Sequence, residues 1–552
     1  MRPEPTALAW AASPQVAEIE HDDGPWVTLR VEPRPGAGLP DAVVLAGPWT
    51  DADVDALRRG EPAGRLRDVV LAQRHAGREH GWTVPRGALD PGDACYAVFE
   101  LRARDADGGL PAGVDPRETV AAAIRGAVEG WTPPLVRARP IARWRPGALL
   151  ELFAFSCQYP PGLIEAPVAH GSMHRLARCL SRPPEPGVER LTVSLGDLVY
   201  VDATAGLFEP RALGERFDAP WERLAESPEY RSMRTVAGSR FAALPDDHEL
   251  HENWEPDRSL NEREVVRRHG LAAVTRHLGR AAPTVAGGGP VLRAGDATAV
   301  FLADTRLGRE RRRLANVADA RILDDRRANA LERWLEAMAA ADPLRPKVVL
   351  CPALLLPRRL TSGVDAPASA MRSDAWDGFP ASMHRLFRWL VVKRIRNVVV
   401  VSGDEHVSMT ARATLSMTGH EPLSVFSVHC SAMHAPYPFA NGRIEDFAGE
   451  ETFSLPGGHR GHAPDDDPDA VTCTVHRVCV APIREGFARL REVRDGGRWG
   501  MKIDWFDGRD YDDAEAPYLE PDCRPRDGSR AARRAAARAA FDAKQTLALD
   551  QA

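Results

Sequence analysis

From residue 148 onward the sequence repeats one device, a compact apolar run that breaks off in polar residues. It occurs as ALLELFAFSCQYP (148–160), RLTVSLGDLVYVD (190–202), RFAALPDDHE (240–249), ATAVFLADTR (297–306), PKVVLCPALLLP (346–357) and RNVVVVSGDEH (396–406). A strand with one wet face alternates apolar and polar residues, whereas a strand covered on both faces reads as a continuous apolar run. The recurrence therefore predicts a layered α/β fold. Helical patterns lie between several of the runs. RANALERWLEAMAAA sets Leu331, Trp334, Leu335 and Met338 on one stripe, and ASMHRLFRWLVVKRI (381–395) does much the same. Those stripes belong to the core.

Residues 1–145 read differently. Short alternating segments such as WVTLRVEP (26–33) and CYAVFELRAR (95–104) stand between Gly, Pro and Asp turns, and one helical pattern, RETVAAAIRGAVEGW (117–131), interrupts them. A small β-rich, sandwich-like domain is expected there. At the other end, SRAARRAAARAAFDAKQTLALD has high helix propensity, so a surface helix on the main domain is expected within 523–552. It lacks the aromatics that stacking on bases would use. The expected division is 1–145, 146–522 and 523–552.

Composition excludes some classes. The chain has 552 residues and a formal charge of −6, so no global basic field points to nucleic acid or an anionic membrane. Eight cysteines carry no CxxC spacing, which removes zinc ribbons and thioredoxin-type sites. No stretch reaches the roughly 20 apolar residues of a membrane span, and the start lacks a secretory pattern, so a cytoplasmic location is expected. VAGGGP (285–290) lacks the Lys and hydroxyl of a nucleotide phosphate loop.

The chemistry collects at the ends of the apolar runs. LGDLVYVD holds Asp197, Tyr200 and Asp202; LPDDHELHENW holds Asp246, Asp247, His248, Glu249, His251 and Asn253; SGDEH holds Asp404, Glu405 and His406. A lone Gly-Asp pair is ordinary turn chemistry, and each cluster alone reads as a polar strand end. Three of them, each closing a buried-type strand, fit the convergence of strand ends on a ligand crevice. Hard oxygen donors mixed with imidazole suit divalent or trivalent cations, and a cation between carboxylates reverses their mutual repulsion.

In order, the chain carries SCQYP, LGDLVYVDATAGLF, DDHE followed by NW, LADTR, WDGFP, VVVVSGDEH and HAPYPFAN, across roughly residues 150–445. This series resembles the PhoD-like (alkaline phosphatase D) family of metallophosphatases, related to calcineurin-like metallophosphoesterases. The resemblance implies a four-layer α/β/β/α sandwich preceded by a β-sandwich-like domain. It implies iron and calcium as cofactors, other divalent metals being open, and a small-molecule phosphate ester as substrate. Asp197 would bridge two cations, Cys157 would be a thiolate ligand to iron, and Asp246 or Asp247 would complete one sphere. Asp404 with His406 would complete another, with Tyr200 and Asn253 as further candidates. His248 would contact phosphate or assist the leaving group. Arg306 is open between a phosphate clamp and a buried ion-pair partner, and Trp376 and Phe379 would form a pocket wall. Glu405 departs from the family pattern and is expected to face away from Asp404 and His406.

These residues together imply a metal-dependent phosphoric ester hydrolase in which cations activate a water for in-line attack on phosphorus. Two alternatives stand beside it: a phosphodiesterase for lipid or nucleotide diesters, and a non-catalytic binding or scaffold protein that keeps the fold.

Overall fold

In a computed structural model the described residues are 148–160, 169–202, 213–237, 241–256, 269–277, 289–290, 300–359, 370–435, 447, 449–457, 467–481, 485–507, 544–547 and 549, together with eight strands before residue 143. The chain divides into two compact units, Met1–Arg143 and Trp144–Ala552.

The first unit contains β1 (Leu8–Trp10), β2 (Ala17–His21), β3 (Trp26–Val31), β4 (Ala42–Trp49), β5 (Asp68–Gln73), β6 (Gly81–Pro85), β7 (Ala94–Leu101) and β8 (Leu135–Pro140). They form one sheet in the order β1-β7-β4-β5-β6-β3-β2-β8, and β8 also pairs back onto β7. On that second edge of β7, β8 takes residues 94–97 and β1 takes residues 99–101. The path from β7 round to β8 thus closes on itself, which leaves few unpaired edges. The expected strands at 26–33 and 95–104 correspond to β3 and β7. The expected β-rich character is seen in these strands, whose pairing forms a single closed path. The helix expected over 117–131 lies outside the described residues.

The second unit holds two sheets. One is built from β9 (Leu149–Gln158), β10 (Val188–Ser194), β11 (Phe241–Ala243), β18 (Ala432–His434), β21 (Gly486–Asp495), β22 (Arg498–Asp507) and β23 (Lys544–Leu547), in the order β11-β10-β9-β21-β22-β23 with β18 added to β9. The other is built from β12 (Gly289–Pro290), β13 (Val300–Leu302), β14 (Lys347–Leu350), β15 (Val398–Ser402), β16 (Ser408–Ser416), β17 (Leu423–His429), β19 (Glu451–Leu455) and β20 (Val471–Ala481), in the order β12-β13-β14-β15-β17-β16-β20-β19. β9, β10 and β11 run parallel, as do β13, β14, β15 and β17.

The helices are α1 (Gly171–Ser181), α2 (Leu213–Glu226), α3 (Pro228–Ala237), α4 (Leu271–His277), α5 (Asp325–Ala341) and α6 (Pro380–Lys393). Asp324 caps α5 by accepting from the Arg327 N–H at 2.8 Å, and Pro380 occupies the first turn of α6, where its missing N–H costs nothing. Leu150, Leu152 and Ala154 of β9 join Leu191, Val193, Val348, Leu350, Val399 and Val401 in one apolar core. The alternate residues Phe153 and Phe155 instead meet Met173, Leu176, Phe217 and Trp221 of α1 and α2. On the other sheet Val349, Val398 and Val400 meet Leu331, Leu335, Phe387 and Leu390 of α5 and α6. Both faces of these strands are therefore buried, which is why their sequences do not alternate.

One expectation fails over its last residues. Lys544–Leu547, inside the Ala/Arg-rich C-terminal stretch, is a strand paired antiparallel with β22 and not part of a helix. An open sheet edge that satisfies a whole row of backbone groups outweighs the small advantage of intrinsic propensity. Residues 508–543 lie outside the described set. Among the described residues no helix is long and apolar enough to cross a membrane.

Candidate metal centre

The site is assembled by loops that leave the parallel strands at the same end. Two glycines let them approach. A Cβ on Gly196, which holds φ +115°, would lie 2.4 Å from Cβ of Asp246, and one on Gly403 would lie 2.4 Å from Cβ of Ser156. The Gly of each Gly-Asp pair is thus a requirement of close packing between loops. Backbone hydrogen bonds then join them: Cys157 N–H donates to Gly196 O at 3.1 Å, Gln158 N–H to Asp197 O at 2.8 Å, and Val201 N–H to His248 O at 3.0 Å. Cys157, Asp197, Asn253, Asp404 and His406 all hold positive φ, between 49° and 86°. Non-glycine residues avoid this region at a cost of about 1–3 kcal/mol each, and clustered exceptions mark functional sites.

At this junction Asp197, Asp246, Asp247 and Asp404 bring ligand oxygens within 4.8 Å of one another. The first three are buried and Asp404 is partly exposed. At an effective dielectric near 20, each ionised pair at that separation repels by roughly 3 kcal/mol. A fully ionised tetrad would accumulate about 20 kcal/mol, more than the ~5–15 kcal/mol by which a domain is typically stable. The pKa values carry that burden. Desolvation, followed by neighbouring carboxylates, pushes Asp404 well above the usual carboxylate range, and burial does the same to Asp197 against the pull of His248. Burial raises Asp246 to about 7 despite Arg306. For Asp247 burial pushes upward, yet Arg306, His248 and the Asn253 N–H together hold it below its ordinary value.

The residues present fit bound cations. Oδ2 of Asp246 and Oδ1 of Asp247 are buried without a hydrogen-bond partner, a costly state that cation coordination relieves. The donors are mainly hard carboxylate oxygens, with one thiol and two imidazoles close by. Cys157 Sγ lies 3.4 Å from Asp197 Oδ2, and burial with the neighbouring Asp197 and Asp404 charges holds the thiol well above its normal pKa. A cation between thiol and carboxylate would invert that preference. Tyr200 places its hydroxyl 3.4 Å from Nε2 of His406, and its ring stacks on His248 with centroids 4.1 Å apart.

His248 is held on both sides. Its N–H on the main chain donates to Asp197 Oδ1 at 3.2 Å, its Nδ1 lies 2.8 Å from Asp202 Oδ1, and its Nε2 lies 3.3 Å from Glu252 Oε2. Burial lowers its pKa, but Asp247, Asp197 and Asp202 outweigh that and push it up to about 12. Asp197, Asp247 and His248 also form a set able to share an ion.

Some expected site residues stand elsewhere. Arg306 is fully buried and all three of its nitrogens are committed: Nε to Asp246 Oδ1 at 2.6 Å, Nη1 to Trp254 O at 3.2 Å and Nη2 to Asp374. Nη2 also lies 3.7 Å from Asp247 Oδ1, and a guanidinium with no exposed surface among three carboxylates fits the ion-pair reading better than the clamp. Because it takes only one oxygen of Asp246, it leaves the other to the cluster. Trp376 and Phe379 are 1% and 0% exposed. Phe379 lies beneath the guanidinium groups of Arg309 and Arg312 and is core, whereas Trp376 belongs to an apolar core and also lines a cavity of about 190 Å³ with Leu331, Ser382 and Leu386. Asn253 is exposed, with its amide on Glu252 Oε1 at 3.0 Å; its contribution is the backbone N–H, which holds Asp247 Oδ2 at 2.5 Å. Glu405 turns to Arg359, its Oε1 accepting from Nε at 2.8 Å. Of the loop 435–441, only Ala435 is described.

Sequence reasoning missed three supports. Glu249 is fully buried and accepts from the main-chain N–H groups of Asp246 (2.7 Å), Leu198 (2.6 Å) and Asp197 (3.1 Å), binding two ligand loops to one carboxylate. Asp374 anchors Arg306 and Arg309 from behind. His429 accepts from the Glu405 N–H at 3.2 Å and supports the loop that carries Asp404. Only the DDHE spacing could have pointed to Glu249; no motif marks the other two.

A carboxylate cage of this kind, at the strand ends of a two-sheet α/β unit, is a group that could hold a metal ion. Residues 190–448 match the family model described as PhoD-like phosphatase. That segment is similar to the PhoD-like phosphatase family, which supports a phosphatase enzyme. The segment contains the whole carboxylate tetrad and excludes Cys157. No curated protein matches the chain. A solved structure described as "Structure of PhoD" aligns over 91% of this chain and 85% of its own, with 13% identity and a TM-score of 0.43, a likeness too loose to assign residue roles.

Proposed function

We propose that the chain is a metal-dependent phosphoric ester hydrolase whose cations are held by Asp197, Asp246, Asp247 and Asp404, with Cys157, Tyr200 and His406 at the margin. The observation that carries this reading is the pair of buried oxygens without a hydrogen-bond partner, Asp246 Oδ2 and Asp247 Oδ1, inside a tetrad that Arg306 meets at Asp246 Oδ1 (2.6 Å) and, more distantly, at Asp247 Oδ1 (3.7 Å). The thiol of Cys157 suits iron, and the carboxylates suit calcium or another hard divalent ion. Such ions, when bound, acidify water and offset charge on phosphate oxygens.

The protein's own groups supply the rest. Asp197 contributes both oxygens toward neighbouring positions, one near Cys157 Sγ and one at the His248 N–H. Asp202 fixes the His248 ring and its Nδ1 proton, leaving Nε2 on the side of exposed Glu252. From there His248 donates to the leaving oxygen. It yields its proton more readily once positive charge offsets Asp197 and Asp247, which are among the groups that raise its pKa. The partial exposure of Asp404 is the side from which an ester would enter.

The same reading takes the second unit as a four-layer α/β/β/α sandwich, supported by its three apolar cores, and residues 1–145 as a separate β-rich module. Elemental analysis with turnover of an aryl phosphomonoester and the matching bis-aryl diester tests it. Stoichiometric metal and hydrolysis of at least one ester are expected. Metal-free protein that added iron or calcium does not activate would sink the proposal.

A further inference from the structure

A cavity of about 220 Å³ adjoins the carboxylate cluster and shares Tyr200 as a wall. Tyr159, Leu198 and Leu224 are among its apolar walls, and Gln158, His170 and Arg223 line it with polar groups. The centre described above uses none of these polar side chains.

Gln158 is only 3% exposed. Its Nε2 donates to the carbonyls of Tyr159 at 3.3 Å and Ala169 at 3.1 Å, which fixes the amide, yet its Oε1 has no partner. Nδ1 of His170 also has none, nor does Nε2 of His434. His434 is the register partner of Gln158 across β18 and β9, so the two side chains share a face of the sheet. The Nδ1 of His434 is occupied by Glu485 Oε1 at 2.9 Å. A buried polar atom left unpaired is costly, so the Oε1 of Gln158, which can only accept, calls for a donor from outside. The volume is ample for one ring, since an engineered cavity of about 150 Å³ holds benzene.

We propose that this cavity is the subsite for the organic half of the ester, taking a flat apolar ring against Tyr159, Leu198 and Leu224 with a hydrogen-bond donor directed to Gln158 Oε1. The proposal rests on the hydrolase reading above and narrows its substrate to aryl-like esters bearing a hydroxyl or amino group.

The test uses full-length, metal-loaded protein with methyl, phenyl, 3-hydroxyphenyl and 4-hydroxyphenyl phosphate. In Leu224→Trp, which fills the cavity, the preference for aryl over methyl ester in kcat/KM falls at least tenfold, mainly through KM. Leu224→Phe replaces it if the larger ring disrupts α2. In Gln158→Leu the preference for hydroxyphenyl over phenyl falls to near one. Binding of free resorcinol and hydroquinone, followed by calorimetry without turnover, weakens in both variants. Loss of that binding in a protein that hydrolyses no ester would keep the subsite and reject the hydrolase. Hydrolysis with unchanged preferences in both variants, and no binding of either phenol, would mean that water alone fills the cavity and would overturn the proposal.

Discussion

Two charged clusters lie back to back around Asp246, and they are compensated in opposite ways. Behind it, Arg306, Arg309 and Arg312 meet Asp374 and Glu255, so buried guanidinium and carboxylate groups neutralise one another. In front of it, Asp197, Asp247 and Asp404 converge, with Arg306 Nη2 3.7 Å from Asp247 Oδ1 and His248 close by. Residue type does not separate the clusters, since both are built on aspartate. What separates them is the provenance of the positive charge. The rear cluster carries its own, and the front cluster is arranged to receive it.

The largest expected effect tests the front cluster. Asp197→Asn should lower kcat/KM by about a thousandfold or more, in the range seen when a preorganised electrostatic group is removed, and should lose metal by elemental analysis. In the metal-free state the same variant should be more stable than wild type, because it removes a repelling carboxylate and leaves an amide of nearly the same shape. A metal-free Asp197→Asn protein with a lower urea midpoint than metal-free wild type would break the distinction between the clusters.

The rear cluster should answer in the other direction. Asp374→Asn leaves Arg306 and Arg309 with a neutral neighbour in a buried setting, and the expected loss of stability is about 3–5 kcal/mol whether or not metal is present. The loss is measured from urea unfolding followed by tryptophan fluorescence. A result below 1 kcal/mol would mean that the arginines find other partners and that the rear cluster is not self-contained.

How much of this was legible in the sequence follows from the same contrast. The strands were legible because covering both faces leaves a continuous apolar run, as in VVVVS of β15. The acidic cluster was legible because the two glycines and their aspartates are fixed by close packing of loops, a constraint that leaves a pattern along the chain. Arg306 was not, because a phosphate clamp and a buried ion-pair partner demand the same side chain, and only its partners in space decide. Phe379 misled for a related reason: an aromatic side chain reads equally as pocket or core. Glu249 hid inside its own cluster, since one more carboxylate among acids looks like a ligand when it in fact accepts backbone N–H groups. Asp374 and His429 are brought to the site from distant segments and have no local signature. The strand at Lys544–Leu547 was lost to local propensity, which carries no information about a vacant sheet edge.

A smaller effect separates positioning from charge within the front cluster. Asp202 touches no group of the tetrad in its main contacts; it holds His248 Nδ1 and the Glu252 N–H, the latter at 2.6 Å. Asp202→Asn should lower kcat by about tenfold to a hundredfold, within the range that general acid catalysis contributes, with metal content unchanged. Because Asp202 is one of the groups that raise the pKa of His248, the alkaline limb of the kcat profile should move to lower pH. A uniform drop with no movement of that limb would assign Asp202 to folding alone.

The smallest effect concerns how the Asp404 loop is supported from below. His429 is fully buried; its Nε2 accepts the Glu405 N–H, so its Nδ1 carries the hydrogen and donates to Ser402 Oγ at 2.8 Å. Burial, with His406 and Arg359 adding to it, lowers its pKa to about 3. The unfolded chain takes up this proton near pH 6.5 and the folded chain not until about pH 3, so between those values the unfolded state binds more protons. The contribution of neutral His429 to stability is therefore intact above pH 6.5 and declines as pH falls, by up to about 1.4 kcal/mol per pH unit. Asp246 and Glu249, both raised to about 7, act in the opposite sense, because folded protein holds protons that the unfolded chain releases. Their effect is common to wild type and His429→Gln and cancels in the difference. Urea midpoints between pH 5 and 7 should accordingly fall less steeply toward acid in His429→Gln than in wild type. Equal slopes would show that the ring is charged in the folded state, and the Glu405 N–H would then need another acceptor to keep Asp404 in place.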